Sequence, residues 1–293
     1  MLVNQYAAPR NHQVRVVIVT DAANEADDAF AIAHALLTPS FEVRGLVASH
    51  FKKPGSMERS YAELIALLDA MGLTGRVPLE HGAEGPLSSG VDVAAGTRLV
   101  RAEALRDDDR PLFVLCLGGL TEMALALRAC PEAAGRMSVV WVGGGRYPAG
   151  SHEANLDRDV PAAREVFASE VPLWQIPSGA FKRMTVSVAE LRLRLSRSGA
   201  LGEHLWEQLN AFASANIAER AWIQPESWVL GDSSAVGVLL AEQKGCYTLR
   251  PAPDFTDDFR YVDCPERRQI RVYHDLDVRM ILEDMFAKFE LAA

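Results

Sequence analysis

Short apolar runs that alternate with helical patterns constrain this chain more than any other feature of its sequence. The runs are rich in β-branched residues and lie at 14–19, 43–48, 112–117, 139–142 and 171–176. Between them, helical patterns occupy 28–37, 59–71, 121–129 and 162–169. Runs that are apolar on both faces, with helices between, are typical of a parallel sheet covered on both sides. The sequence therefore predicts an α/β fold with an open, mostly parallel sheet flanked by helices.

The C-terminal half adds further helix to this pattern. Residues 185–228 are more uniformly helical, and the chain returns to a strand at 269–273 and a last helix at 278–291. No Pro/Gly/Ser-rich linker, internal repeat or low-complexity tract marks a boundary. We therefore expect residues 1–293 to form a single domain with a helical elaboration in its C-terminal half.

Charge and cysteine content exclude several classes of function. The formal net charge of −9 and the pI near 5.3 oppose binding to phosphate backbones and anionic membranes, and the sequence shows no local run of basic residues. The N-terminal peptide 1–13 has no sustained apolar core, and no later segment approaches about 18 uninterrupted apolar residues. The cysteines are scattered without a Cys-x-x-Cys pair, at Cys116, Cys130, Cys246 and Cys264. We expect a cytoplasmic protein that binds neither nucleic acid nor membrane.

An acidic stretch, TDAANEADDA, joins the first apolar run to the first helical pattern. In open parallel sheets, ligands bind in the loops after the carboxyl ends of strands. An Asp at the start of a helix is often only a cap, but a single cap does not explain this many acidic and amide side chains. Clustered oxygen ligands are what Ca²⁺ requires. The stretch predicts a metal or polyol site, with a solvated acidic loop as the alternative; its polar side chains are Asp21, Asn24, Glu25, Asp27 and Asp28.

The acidic loop and five later segments resemble the nucleoside hydrolases of the inosine–uridine type. The first loop, T-D-x-x-N-E-x-D-D, looks like that of a divergent, nucleoside-hydrolase-like branch of this superfamily. The later segments follow in the family's order and are VPLEHGAEGPL at 77–87, CLGGLTEMA at 116–124, VGG at 142–144, EANLDRDVPAA at 153–163 and GDSSAV at 231–236. The resemblance extends over essentially the whole chain and implies calcium-dependent hydrolysis of the N-glycosidic bond of a ribonucleoside or related riboside.

The resemblance also implies roles for individual residues. Asp28, the backbone carbonyl of Thr121 and Asp232 would hold Ca²⁺ as the cofactor. Asp27 would bind the ribose hydroxyls. Glu153 and Asn155 would hold the sugar at its 5′ and 3′ sides. The family members are commonly oligomers, so a homo-oligomer is expected.

Two positions depart from the family's pattern. Ala23 stands where the family has the Asp that acts as the base, and Gly231 stands where it has an imidazole beside the late Asp. The catalytic proton acceptor is therefore open between Asp21 and Glu25. Cleavage of an N-glycosidic bond passes through an oxocarbenium-like state that nearby carboxylates stabilise, with a water attacking the anomeric carbon.

Two further side chains carry alternative interpretations. His152, next to Glu153, is either a substrate-contacting acid or a surface residue. Trp228 either stacks on a nucleobase or packs in the core. Three function classes also remain open at this point. They are a calcium-dependent hydrolase of ribosides or another glycoside, a non-catalytic sugar- or nucleoside-binding protein, and a phosphatase with an Asp21 nucleophile, which lacks the second Asp that such chemistry needs.

Overall fold

The computed structural model of the chain describes residues 8–241, 243 and 245–293. Residues 1–7, which form half of the N-terminal peptide considered above, lie outside this part. The strands are β1 Val14–Thr20, β2 Phe41–Ala48, β3 Leu79–His81, β4 Leu112–Cys116, β5 Ser138–Val142, β6 Leu173–Ile176, β7 Thr185–Ser187, β8 Ser227–Val229, β9 Tyr247–Pro251, β10 Asp254–Phe255, β11 Tyr261–Val262 and β12 Gln269–Tyr273. The α-helices are α1 Asp27–Leu36, α2 Ser56–Ala70, α3 Ala95–Leu105, α4 Thr121–Ala129, α5 Ala154–Arg158, α6 Val160–Ala168, α7 Ser178–Phe181, α8 Val188–Leu195, α9 Gly199–Asn216, α10 Ser233–Leu240 and α11 Val278–Ala292.

Eight strands form one central sheet in the order β3-β2-β1-β4-β5-β6-β12-β9. Neighbouring strands pair in parallel from β3 to β12, and only the edge strand β9 is antiparallel. The predicted open, mostly parallel sheet is confirmed. Because the strands are parallel, their carboxyl ends lie at one edge of the sheet, where the connecting loops enter the helices.

The apolar runs are continuous because both faces of the sheet are buried. In β1, Val16 and Ile18 face one core layer, while Val17 and Val19 face the other, and all four are fully buried. Helices α1, α2, α9 and α11 cover the first face, and α3, α4 and α6 cover the second. Each such aliphatic side chain stabilises the fold by about 1.5–3 kcal/mol on burial. The acidic loop follows directly after this buried strand.

Most predicted elements match within two or three residues, and the differences have local causes. The run expected at 171–176 becomes a strand only at Leu173, since Pro172 has no backbone N–H to give to a ladder. The region 185–228 contains the expected helices α8 and α9, but both of its ends are strands. There β7 and β8 pair antiparallel, because Val186 and Trp228 bury their side chains in the core. No helix of the described residues is long and apolar enough to cross a membrane.

Candidate functional site

The acidic loop lies at the carboxyl edge of the sheet, as predicted. It connects β1 to α1, and the loop after β8 reaches the same place, where Asp232 precedes α10. Thr20, the last residue of β1, donates a hydrogen bond from Oγ1 to Oδ1 of Asp28. The backbone N–H of Asp232 donates to Oδ2 of Asp27 over 3.3 Å. Residues far apart in the sequence thus form one site.

Three carboxylates converge there. Asp27, Asp28 and Asp232 each place one oxygen within 4.8 Å of the oxygens of the other two. Burial raises the pKa of Asp28 and of Asp232 well above the ordinary value, and the neighbouring carboxylates raise both further. Burial likewise raises the pKa of Asp27 to about 6. Carboxylates that converge away from water destabilise the protein unless a cation compensates their charge. These residues therefore fit a hard divalent metal ion.

A different partner neutralises Asp21. Nε of Arg158 donates to Oδ2 of Asp21 over 3.0 Å, and the two side chains are 11% and 2% exposed. The glycine pair after β4 makes room for this ion pair. A Cβ on Gly118 would lie 2.7 Å from Oδ1 of Asp21, and one on Gly119 would lie 2.7 Å from Cβ of Arg158. Burial raises the pKa of Asp21, and the Arg158 guanidinium opposes that shift.

Glu25 is the second candidate for the proton acceptor. It is half-buried, and no side chain or amide of the described residues forms a hydrogen bond with its carboxyl group. Burial raises the pKa of Glu25 to about 8, with further contributions from the charges of Asp27 and Asp21. In contrast to Asp21, Glu25 has no ion-pair partner among the described residues.

Glu153 and Asn155 brace the loops after β4 and β5. Oε1 of Glu153 accepts from the backbone N–H of Asn155, while Oε2 accepts from Gly144 and Leu156, which caps α5. Nδ2 of Asn155 donates to the backbone carbonyls of Leu117 at 2.6 Å and Val142 at 2.9 Å. Only the acceptor lone pairs that these two side chains do not use within the protein are available to a ligand. Oδ1 of Asn155 is the clearest example.

Thr121 begins α4 and is fully buried. Its hydroxyl donates to Oδ2 of Asp159 at 2.8 Å and accepts from Nε2 of His50 at 3.0 Å, while Nδ1 of His50 accepts from the backbone N–H of Lys52. Burial lowers the pKa of His50 to about 4, helped by the charges of Arg158 and Lys52. His50 is thus a neutral, structural residue of this edge, and the role of the Thr121 carbonyl stays a prediction.

Phe181 occupies the space beside Gly231. A Cβ on Gly231 would lie 2.9 Å from Cδ2 of Phe181 and 3.4 Å from Oδ2 of Asp27. A larger residue at position 231 would therefore require Phe181 to move. Nothing in the sequence pattern singled out Phe181 or Arg158, although both contact the acidic site.

The other two side chains singled out from the sequence lie differently. Trp228 is 4% exposed and packs edge-to-face against Trp222 and Phe212, with ring centroids 5.8 and 5.9 Å away. The core interpretation of Trp228 is therefore the one that fits, and its exposed neighbour is Trp222. The side chain of His152 is 68% exposed and packs edge-on against Phe259. The surface interpretation fits His152.

The comparisons with known proteins agree with one another on the family. The family described as inosine-uridine preferring nucleoside hydrolase matches residues 16–281. The pyrimidine-specific ribonucleoside hydrolase RihA of Salmonella typhimurium is 27% identical over 184 residues, which cover 53% of this chain and 58% of that protein. The matched region of this chain thus spans less than two thirds of that relative.

Solved structures of similar fold cover nearly the whole chain. An inosine-guanosine nucleoside hydrolase superposes with a TM-score of 0.73 and 19% identity, covering 95% of this chain and 99% of its own. A purine-preferring ribonucleoside hydrolase from Gardnerella vaginalis superposes with a TM-score of 0.76 and 18% identity, with the same coverage. At these identities the superpositions establish the fold.

Proposed function

The chain belongs to the family of inosine–uridine preferring nucleoside hydrolases, and on that premise we propose that it is a calcium-dependent hydrolase of the N-glycosidic bond of ribosides. The observation that carries this proposal is the convergence of Asp27, Asp28 and Asp232 at the carboxyl edge of the sheet. Three converging carboxylates, two of them buried and one half-buried, provide the oxygen-rich environment that Ca²⁺ prefers.

Two of the three carboxylates serve the metal and one serves the sugar. Asp28 and Asp232, with the backbone carbonyl of Thr121, would hold Ca²⁺, which would supply Lewis acidity and orient the attacking water. Asp27 accepts hydrogen bonds from the ribose diol. This division follows the family resemblance, and the convergence of the three carboxylates would bring a diol on Asp27 close to Asp28 and Asp232.

Asn155 and Glu153 complete the sugar site. Oδ1 of Asn155 accepts no hydrogen bond from a described residue and is available to a sugar hydroxyl. Oε1 of Glu153 accepts a single backbone N–H, so one of its lone pairs is available to a second hydroxyl. The hydrogen bonds that both residues make to the backbone hold these acceptors in place before the substrate binds.

Glu25 is the proton acceptor for the attacking water. Glu25 is half-buried and unpaired among the described residues, whereas Asp21 is held by Arg158. As the water attacks the anomeric carbon, a carboxylate oxygen of Glu25 takes its proton and the bond to the leaving group breaks. The remaining carboxylates stabilise the positive charge that develops on the sugar.

The same premise supports coarser proposals about the whole protein. We take residues 1–293 as one domain, because the central sheet draws its strands from Val14 to Tyr273. We also propose a cytoplasmic homo-oligomer whose partner is a small nucleoside or sugar. The free thiols of Cys116, Cys130, Cys246 and Cys264 support a reducing compartment.

Release of free ribose from inosine and from uridine tests the proposed activity. The purified protein is incubated with each nucleoside, with Ca²⁺ or after chelation, and ribose and free base are quantified. We expect equal amounts of both products with Ca²⁺, and loss of both after chelation and in Asp232→Asn. Nucleoside binding without product formation would instead support a non-catalytic binding protein.

A further inference from the structure

Two side chains outside the acidic site hold the glycine run 143–145 that follows β5. The hydroxyl of Tyr261 donates to the backbone carbonyl of Gly145 at 2.9 Å and accepts from Nε2 of Gln175 at 2.7 Å. The same Nε2 donates to the backbone carbonyl of Gly143 at 3.0 Å, and Gln175 is fully buried. Both amide hydrogens of Gln175 and the hydroxyl hydrogen of Tyr261 are therefore used to hold one short loop.

Gly144 lies between the two carbonyls that are held in this way. Its backbone is left-handed, with φ +89°. A Cβ at this position would lie 2.5 Å from Nε2 of Gln175 and 2.5 Å from the hydroxyl oxygen of Tyr261. The two side chains therefore pack directly on the Gly144 backbone, where only glycine has both the space and the conformational freedom.

The glycine run transmits this support to Glu153. The carbonyl of Gly143 and the N–H of Gly144 belong to one planar peptide group, so the hydrogen bond from Gln175 to that carbonyl also sets the direction of the N–H. The Gly144 N–H donates to Oε2 of Glu153 at 2.7 Å, and Leu156 donates to the same oxygen at 3.0 Å. Both lone pairs of Oε2 are therefore used, and the free acceptor capacity of the carboxylate lies on Oε1.

Asn155, the other residue assigned to the sugar, is held by a different part of the structure. Its Nδ2 donates to the backbone carbonyls of Leu117 and Val142, which lie at the carboxyl ends of β4 and β5. Neither hydrogen bond involves the glycine run. A change in the support of that run is therefore expected to reach Glu153 and to leave Asn155 in place.

Tyr261 reaches the glycine run from the hairpin of β10 and β11. The hairpin packs against the loop after β5, where Gly150 and Arg260 form a β-bridge. The ring of Tyr261 packs against Tyr147 and Phe255, with ring centroids 4.9 and 5.3 Å away. Removal of the hydroxyl alone therefore leaves these ring contacts available.

We propose that Tyr261 and Gln175 are positioning residues for recognition of the C5 hydroxyl of the sugar, and that they act on Glu153 through the peptide group between Gly143 and Gly144. The inference rests on the proposed function, in which Glu153 holds the sugar at its 5′ side. With Oε2 occupied by backbone N–H groups, Oε1 is directed toward the sugar hydroxyl before the substrate binds. When the Gly144 N–H is no longer held, Oε2 is freed and the carboxylate turns, which weakens the contact with the C5 hydroxyl.

Calorimetric titration of the calcium-loaded protein with methyl β-D-ribofuranoside and with its 5-deoxy and 3-deoxy derivatives tests the proposal. We expect the parent protein to bind the complete sugar about tenfold or more tightly than either derivative. Tyr261→Phe and Gln175→Met should each lower the ratio for the 5-deoxy sugar by about three- to tenfold and leave the ratio for the 3-deoxy sugar unchanged. Tyr247→Phe is the matched control and keeps both ratios, because the Tyr247 hydroxyl makes no hydrogen bond to another described residue.

Three outcomes overturn the proposal. Equal affinity of the parent for the complete and the 5-deoxy sugar would show that Glu153 does not recognise the C5 hydroxyl. An unchanged 5-deoxy ratio in a folded Tyr261→Phe protein would show that Glu153 is held without Tyr261. An equal fall of both ratios would show a general loosening of the sugar site.

Hydrolysis of p-nitrophenyl β-D-ribofuranoside by the parent separates these failures from failure of the proposed function. Such hydrolysis does not depend on how strongly the protein distinguishes the C5 hydroxyl. The binding measurement, in turn, does not require catalytic turnover.

Discussion

Nε of Arg158 lies 3.0 Å from Oδ2 of Asp21, and this buried ion pair divides the carboxylates of the site into two groups. Asp21 has a permanent counter-charge, whereas Asp27, Asp28 and Asp232 face one another. The division explains how one loop can carry so many acidic residues, because only the second group requires an external cation.

Replacing Arg158 by Gln is expected to lower the free energy of unfolding by about 3 kcal/mol, because it leaves Asp21 charged and unpaired in a buried position. Urea denaturation at neutral pH measures the change. In the double variant Asp21→Asn/Arg158→Gln most of the loss is recovered, since no charge remains buried.

The matched control is Arg128→Gln, which breaks an exposed ion pair with Glu165. It is expected to cost less than about 1 kcal/mol. A loss of equal size in Arg158→Gln and Arg128→Gln would contradict the structural role assigned to the Asp21–Arg158 pair.

Replacing Asn155 by Asp is expected to destabilise the protein by about 3 kcal/mol or more. The change removes two N–H donors and turns a carboxylate oxygen toward the carbonyls of Leu117 and Val142. Asn216→Asp, which removes one hydrogen bond to Phe212 at the end of α9, is the control and costs about 1 kcal/mol. Equal urea midpoints for the two variants would refute the bracing role of Asn155.

The contact of Phe181 with Gly231 predicts a dependence on the leaving group. With no imidazole at position 231, p-nitrophenyl β-D-ribofuranoside should be hydrolysed with a kcat/KM at least about 100-fold above that of inosine or uridine, since its leaving group needs little protonation. In the double variant Phe181→Ala/Gly231→His this ratio should fall, because removal of the Phe181 ring makes room for an imidazole that can protonate the leaving group. Phe181→Ala alone is the control. A ratio of the two kcat/KM values near one in the parent protein would argue against the lack of an acid for the leaving group.

His34 predicts a pH dependence of stability away from the active site. Its Nε2 lies 2.7 Å from Oδ2 of Asp284, which also contacts Lys288, and burial lowers the pKa of His34 below 6.5. As the pH falls, His34 is protonated in the unfolded chain before it is protonated in the folded protein. The contribution of His34 to the free energy of unfolding is therefore complete above about pH 6.5. It is lost as the pH falls toward the lower pKa that His34 has in the folded protein.

The measurement is the free energy of unfolding between pH 7 and pH 5. Its decline should be less steep in His34→Gln, whose amide can still donate to Asp284, than in the parent. His12→Gln, at an exposed position, is the control and keeps the parental slope. The lowered pKa of Asp284 places its own titration below this window. Parallel curves for His34→Gln and the parent would contradict the prediction.

The sequence predicted those parts of the fold and site that local patterns determine. Strand β1 and helix α1 follow from apolar periodicity, and the rule for parallel sheets places the acidic loop at the carboxyl edge. The grouping of Asp28 with Asp232 came from the family resemblance. The structure brings Asp27 and Asp232 together across 205 residues of sequence.

The remaining features depend on packing between distant segments. Nothing in the sequence around Arg158 indicates that it pairs with Asp21. The pair forms because Gly118 and Gly119 leave room for both side chains. The sequence left Trp228 open between stacking on a nucleobase and packing in the core, and the pairing of β7 with β8 turns its ring into the core.

The most direct test of the central claim is calcium-dependent hydrolysis of p-nitrophenyl β-D-ribofuranoside by the parent protein and by Asp28→Asn. The account predicts nitrophenol release that requires Ca²⁺, is abolished by chelation and is lost in Asp28→Asn together with calorimetric Ca²⁺ binding. Asp157→Asn, whose carboxylate pairs with Lys52 outside the acidic site, should retain both. Undiminished Ca²⁺ binding in a folded Asp28→Asn sample, or hydrolysis that survives chelation, would contradict it.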